Sequence, residues 1–524
     1  MAKQRRDELA AYTFARKRTV AAFLAPSPGG SEEGAPRPIR TVMPSLAVGV
    51  VLVIGFIAWG VIKPTAPKGW DTPGEHIIVD SDSTTRYVVL DPDPKDGKVE
   101  KVLHPVLNYA SAKLLLDKGK GGVLEVPGKE IDKSGIRHGA TIGIPYAPDR
   151  LPSKQDAEEP KTWAVCERPA PGKEGAIDRA VFVFDAADAK SLENSGKVSN
   201  LEALYVKDTE TGREYLVDGK GNRFLLGGKA GLDGTSMEQL RTAVIGSSAT
   251  ARPLPVSQEW LNTLNEGTDI TFPTVPDAGE PTSVQGLPGV STVGQVLRAR
   301  DAQNDQFYVV LKDKVAVISP FVANLLVARG GVNPIKADTP KIAAANGGSA
   351  DQFYADTGWP VTVPRQANST DTSTGTARTT SCSVYKGAFG ADKKPQLAAW
   401  AGTNYPKKVI TDSLSAYVSS GSGLLFQEVT GAAAGGGAQY LLTDTGLRYS
   451  LPKSNDSEAQ QGAGGSSSSQ GGSSQGEASE TDKARTRLGY EDIANPSIVP
   501  QTWATFIPKG PTLDTGSAAQ PQSQ

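Results

Sequence analysis

Two cysteines, Cys166 in TWAVCERP and Cys382 in TSCSVYKG, have the widest chemical range of any side chains in this 524-residue sequence. A thiol is a nucleophile where a base and positive charge activate it, a metal ligand where Cys or His recurs at short spacing, and half of a disulfide in an oxidising compartment. Beside Cys166 only Arg168 supplies positive charge, and no base stands close. His76, His104 and His138 are the only histidines, and they make neither an H-E-x-x-H motif nor a zinc spacing. His104 precedes Pro105 at an expected helix start and His138 precedes Gly139 in an expected turn, so both read as turn or capping residues. G-x-x-x-x-G-K-[ST] has no match, since Gly128-Lys129, Gly196-Lys197 and Gly219-Lys220 lack the spacing or the following hydroxyl. The Gly/Ser run at 464–475 has no strand–turn–helix context for a hydrolase elbow. The residues therefore offer no catalytic set and no metal centre, and they call for no cofactor. With 21% charged residues and a net charge of −2, they call for no nucleic-acid partner either.

What positions the cysteines is decided first by a membrane. Ser45 to Ile62 in MPSLAVGVVLVIGFIAWGVIKP carries no charge, and Pro44 and Lys63-Pro64 bound it. About 18 apolar residues at ~1.5 Å each nearly match a hydrocarbon core of ~30 Å. A signal peptide would start closer to the N-terminus and show a small-x-small cleavage site, and a buried core helix would keep a polar face. We therefore expect a retained transmembrane helix, with Ser45, Leu46, Val50, Leu52, Ile54, Phe56, Trp59 and Ile62 in the membrane. Lys3, Arg5, Arg6, Arg16, Lys17, Arg18, Arg37 and Arg40 precede it, which predicts a cytoplasmic N-terminus and an extracytoplasmic bulk where thiols oxidise. In the tail, RRDELAAYTFARKRTVAAFLAP predicts a basic amphipathic helix of about 18 residues stopped at Pro26. It reads either as a topology anchor touching anionic lipid or as a docking helix using Arg5, Arg6, Tyr12, Phe14, Arg16, Lys17, Arg18 and Phe23. SPGGSEEGAPRP after it reads as a flexible hinge.

The outer region is duplicated. Tyr87-Val-Val-Leu90 matches Tyr308-Val-Val-Leu311 at an offset of 221, each followed by a helix expected to open near Pro105 or Pro320. YLVDGKGNRFLL from Tyr215 matches YLLTDTGLRYSL from Tyr440 at 225, with Gly221 and Gly446 at the turns, and Trp260 matches Trp503 at 243. We read the two tryptophans as equivalent core anchors. Cys166 and Cys382 occupy matching linkers 216 apart, so linkers that pair about a local two-fold axis bring the thiols together. A central sheet is expected from both linkers, including Ala180–Phe184 and Gly423–Val429. The expected divisions are a cytosolic tail (1–42), a transmembrane helix (43–63), a linker (64–80), module A (81–160), a first central half (161–210) and module B (211–290). Module A′ (291–365), a second central half (366–435), module B′ (436–515) with a disordered Ser/Gly insertion (453–486), and a disordered tail (516–524) follow. The fold class is α+β, an elongated extracytoplasmic region of four small α/β repeat modules around a central β-rich domain with pseudo-two-fold symmetry.

The basic tail, the single span, LHPVLNYASAKLLL followed by GIPYAPD, and the two-cysteine repeat body together resemble the EccB family, core membrane components of actinobacterial type VII (ESX) secretion systems. The likeness covers nearly the whole chain. It implies four outer modules around a central domain carrying a disulfide, here Cys166 with Cys382, and a structural role in a translocon that exports small helical WXG-motif proteins. The implied partners are the FtsK/SpoIIIE-like motor ATPase EccC, the channel-like EccD, EccE, the mycosin protease, and further copies through the extracytoplasmic region. The long Ser/Gly insertion departs from the family pattern. An ATPase activity has been proposed for the family, and no residues here are assignable to it. The rival readings are a membrane-anchored extracytoplasmic nucleotide hydrolase and a cell-wall-binding module.

Overall fold

A computed structural model describes residues 2–24, 39–62, 66–92, 98–172, 175–194, 196–245, 251–301, 304–345, 351–369, 377–409, 416–431, 437–452 and 479–522. The expected hinge at 27–38 and most of the Ser/Gly insertion lie outside the described residues. Two units, 1–68 and 69–524, are distinct.

The first unit contains two helices. Ala2–Leu24 is longer at its start than expected, because Lys3, Gln4, Arg5 and Arg6 are good helix formers ahead of Asp7. At ~100° per residue, Arg16 falls inside the arc carrying Leu9, Tyr12 and Val20, and Lys17 inside the arc carrying Ala10, Phe14, Ala21 and Leu24, so basic and apolar side chains share faces instead of separating. The second helix, Ile39–Ile62, runs through Pro44 where a boundary was expected. Its side chains are described over 42–57, and among the described residues no helix is long and apolar enough to cross a membrane.

In the second unit, four outer sheets repeat one topology. In module A, β1 (His76–Asp80), β2 (Arg86–Leu90) and β3 (Val102–Pro105) form a meander. The helix Tyr109–Leu115 then crosses over, and β4 (Gly122–Val126) returns parallel to β1, with β5 (Arg137–His138) beside β3. A parallel return needs a crossover, which is why a helix separates the third and fourth strands. The first central hairpin follows, β6 (Thr162–Pro169) and β7 (Ile177–Phe184). Module B repeats the plan with β8 (Glu202–Asp208), β9 (Glu214–Asp218), β10 (Asn222–Leu225), the helix Gly234–Ile245, β11 (Leu254–Val256) and β12 (Asn265–Glu266). Module A′ uses β13 (Val296–Asp301), β14 (Asn304–Val310), β15 (Val315–Ile318), the helix Pro320–Gly330 and β16 (Ile335–Lys336), and β17 (Arg365–Gln366) then joins β8. The second central hairpin is β18 (Thr380–Phe389) and β19 (Pro395–Gly402), followed by β20 (Tyr417–Val418). Module B′ is built from β21 (Leu424–Val429), β22 (Gln439–Leu442), β23 (Arg448–Leu451), the helix Glu480–Leu488 and β24 (Ser497–Pro500). Modules A and B thus share one plan, and the outer region is a fourfold repeat arranged as a duplicated pair.

Several boundaries move. Leu424–Val429, expected in the central sheet, is the first strand of B′, because its register with β22 aligns Phe426 with Tyr440. Likewise β8 belongs to B, and module A already includes β1. Pro105 is a strand residue paired with Tyr87, and the helix starts only after Asn108, whose side chain accepts from the Ser111 amide. Pro320 does open its helix, capped by Ser319. The last part of the presumed disordered insertion is helical from Glu480. Residues 515–519 are also helical, and Gln522 donates from its backbone to Thr141 O at 2.9 Å and from its amide to Gly143 O at 2.6 Å.

The central sheet has the order β19-β18-β6-β7-β20. Its middle pair is antiparallel, with Val165 opposite Ser383, Cys166 opposite Cys382 and Glu167 opposite Ser381, a register unchanged when residues 216 apart are exchanged. A buried cluster on one face joins Trp163, Val165 and Val183 to Leu204 and Trp260 of B and to Phe426 and Trp503 of B′. The outer modules pack crosswise. Leu240 and Val244 of B meet Phe321 and Leu325 of A′, while Ala110 and Leu114 of A meet Ala484 and Leu488 of B′.

The equivalent turn glycines press on the centre. Gly446 has φ +77°, and an added Cβ would lie 2.2 Å from Ala416 O. At Gly221, φ is +75° and the Cβ would meet Leu397 Cβ at 2.5 Å. Gly446→Ala is expected to cost about 2–3 kcal/mol, combining the left-handed backbone with the overlap. Gly431→Ala is the control, since its φ is +76° and nothing lies within 4 Å. Urea midpoints that fall equally for both would show that the contact with the centre contributes nothing.

Candidate functional site

Cys166 and Cys382 form a disulfide, their Cα atoms 4.0 Å apart across the β6–β18 ladder. Both are fully buried among Ala164, Ala180, Phe182, Val384 and Trp400. Arg168, two residues beyond Cys166, is engaged, because it lies 4.4 Å above the Tyr405 ring and 3.6 Å from Asp178. Burial pushes the Tyr405 hydroxyl up to about 12. The sulfurs are consumed in a structural bond, so no nucleophile remains at this position.

Alternation along β6 turns Glu167 to the opposite face, where its carboxylate is fully buried. It accepts from Arg179 Nε at 2.7 Å, the Ser257 amide at 2.8 Å and the Ser257 hydroxyl at 2.7 Å, which locks module B to the centre. A buried carboxylate is tolerated only when satisfied in this way. In B, Glu214 is held by Arg241 through two bonds of 2.8 Å and by the Tyr205 hydroxyl, and burial raises the Tyr205 pKa. At the far end of β7, Asp188 accepts from Lys407, Ser419 and Tyr417, and the Lys407 ammonium holds its carboxyl below the usual range. These networks join residues 78 to 231 apart in most cases, so local sequence patterns did not reveal them.

The three histidines do not converge. His76 is in β1 beside Glu75 at 3.7 Å, and His104 is in β3 with Nδ1 2.9 Å from Ala140 O. His138 pairs β5 to β3, so it is a strand residue and not part of a turn, and its ring meets Tyr87 edge-on. Among the described residues, no group of three or more His, Cys, Asp or Glu is placed to hold a metal ion. Trp260 and Trp503 are fully buried at matching positions, donating to Val165 O at 2.9 Å and Thr263 O at 3.2 Å.

The residues expected at the membrane and in the cytosol are surface residues of the first unit. Tyr12 is 72% exposed, Phe14 67% and Phe23 91%, and Arg6, Arg16, Lys17 and Arg18 are exposed as well. Leu46, Val50, Leu52, Ile54 and Phe56 are each at least half exposed, and Ser45 donates back to Val42 O at 2.9 Å. The side chains of Arg5, Trp59 and Ile62 lie outside the described residues.

Residues 2–523 match the family described as "Type VII secretion system ESX-1, transport TM domain B". The chain belongs to the EccB family. A relative called ESX-3 secretion system ATPase EccB3, from Mycobacterium tuberculosis, is 27% identical over 515 residues, covering 92% of this chain and 83% of its own. ESX-1 secretion system ATPase EccB1 of Mycolicibacterium smegmatis is 28% identical over 293 residues, covering 55% of this chain and only 54% of its own length. Among solved structures, an intact ESX-5 inner membrane complex contains a chain with a TM-score of 0.58 at 20% identity, covering 99% of this chain and 95% of that one. A chain of the EccB3 dimer from the ESX-3 core complex gives 0.56 at 21% identity, covering 84% and 99%. At these identities the structural likeness establishes the mixed α/β fold of an EccB protein with its several small sheets.

Proposed function

We propose that this EccB protein is a structural, membrane-anchored subunit of a type VII secretion membrane complex. It couples a cytosolic motor ATPase of the EccC kind and the EccD channel subunit, with EccE and a mycosin protease as further partners, to an extracytoplasmic assembly. The family match over residues 2–523 carries this reading. It is supported by the ESX-5 inner membrane complex, which holds a chain of this fold, and by the EccB3 dimer, which is the precedent for self-association. In the helix Ile39–Ile62, residues 42–57, the part whose side chains are described, include no Asp, Glu, Lys or Arg. Its exposed Leu, Val, Ile and Phe side chains call for lipid or another helix as their solvent. With the basic flank inside, the disulfide-bearing unit lies outside.

The helix Ala2–Leu24 exposes Tyr12 and Phe23 on one side and Phe14 on the other, each on a basic background, an arrangement suited to docking. Deleting residues 2–24 in the producing cell is expected to leave the chain in the membrane fraction and to separate it from the motor in detergent extracts. Retention of the motor by the truncated chain would remove the docking role. Nucleotide hydrolysis is favoured by one observation, the word ATPase in the relatives' names. Turnover by the purified chain that a point substitution abolishes would establish it.

A further inference from the structure

Module A′ carries a basic concavity. Arg298 and Arg300, two apart on β13, share one face of the sheet, and Arg298 stands directly opposite Lys336 on β16. With Asp305, Asp338, Thr339 and Ala343 they line an open cavity of about 770 Å³. Its charges are incompletely balanced. Asp305 engages Arg298 and lies 3.7 Å from Arg300 Nε, while Asp338 is taken by Lys341 at 2.9 Å. Among the described residues Lys336 has no ion-pair partner, and the Thr339 hydroxyl is buried with nothing to bond. A spare ammonium and an under-used guanidinium around one cavity match an anion with several oxygens.

The duplication shows that the fold does not require these cations. Tyr308 pairs with Leu297 as Tyr87 pairs with Ile78, so Arg298 and Arg300 correspond to Val79 and Ser81 of module A. Ile335 beside Leu297 corresponds to Leu124 beside Ile78, so Lys336 corresponds to Glu125. Val79, Ser81 and Glu125 build the same sheet without any positive charge.

We propose that the cavity between β13, β16 and Thr339 binds a pyrophosphate group, with Lys336 and Arg300 supplying charge. This stands apart from the secretion role. Two sources share the chemistry, a nucleotide and a prenyl-pyrophosphate lipid carrier. The test is titration calorimetry on the full chain in detergent at low salt without divalent metal, using inorganic pyrophosphate as probe, then ATP and farnesyl pyrophosphate. Saturable binding of one equivalent is expected, weakened about tenfold by Lys336→Glu and several-fold by Arg300→Ala. Both side chains are exposed, so the melting temperature should not change. Tighter ATP binding assigns the nucleotide, and tighter farnesyl pyrophosphate binding assigns the lipid carrier. No saturable pyrophosphate binding, equal binding of sulfate, or unchanged affinity in both variants would overturn the proposal.

Discussion

Removing the bridge with Cys166→Ala and Cys382→Ala is expected to lower the stability of the full chain by about 5 kcal/mol, the chain-entropy value for a loop of 216 residues. The argument is topological. The bond joins β6 to β18, so cutting it frees the two halves of the duplication from each other in the unfolded chain. The reduced protein should still fold, because the crosswise contacts of B with A′ and of A with B′ also hold the halves together. Either single substitution should lose nearly as much as the pair. Dithiothreitol should bring the wild type to the level of the double variant and leave the variant unmoved. Tryptophan fluorescence in urea reads this directly, and coincident midpoints for oxidised wild type and double variant would show that the bond contributes nothing.

The next largest effect is expected from Trp503→Ala, at about 3–5 kcal/mol. The side chain is fully buried, its ring centroid is 5.7 Å from that of Tyr385 in the central sheet, and it donates to Thr263 O of module B. Truncation empties a cavity where three modules meet and leaves that carbonyl unbonded. Trp503→Phe keeps most of the volume and should lose about 1–2 kcal/mol, chiefly through the missing donor. A urea midpoint for Trp503→Ala no lower than that of Trp503→Phe would contradict the cavity argument. Trp260 is equally buried, but its donor goes to Val165 O, so the duplicated tryptophans serve different joints.

Much of this architecture was legible in the sequence because both halves keep the same side chains where the fold needs them. The aromatic-apolar second strands, Gly221 with Gly446 and Trp260 with Trp503 occupy matching structural positions. No residue match linked A to B, although four repeat modules were expected, since the strands of A and B match in hydrogen-bond topology and not in residue type. Leu424–Val429 was misplaced because a buried apolar strand carries no mark of which sheet it joins. Pro105 misled because proline suits a helix start, whereas here it ends a strand and Asn108 does the capping. The polar residues after 515 read as disorder, yet Asp514 caps a helix through the Ser517 amide at 2.7 Å and Gln522 supplies two donors to module A. Glu167 adjoins Cys166 in sequence, but its role depends on Ser257, 90 residues away.

The central claim is that this chain works as a structural subunit of a type VII secretion membrane complex. Its most direct test is affinity purification of the tagged full chain from membranes in mild detergent, followed by crosslinking and mass spectrometry of the species separated by size. The account predicts a large complex containing the motor ATPase and the channel subunit crosslinked to this chain. Recovery of the chain only as a free monomer, with neither subunit crosslinked, would contradict it.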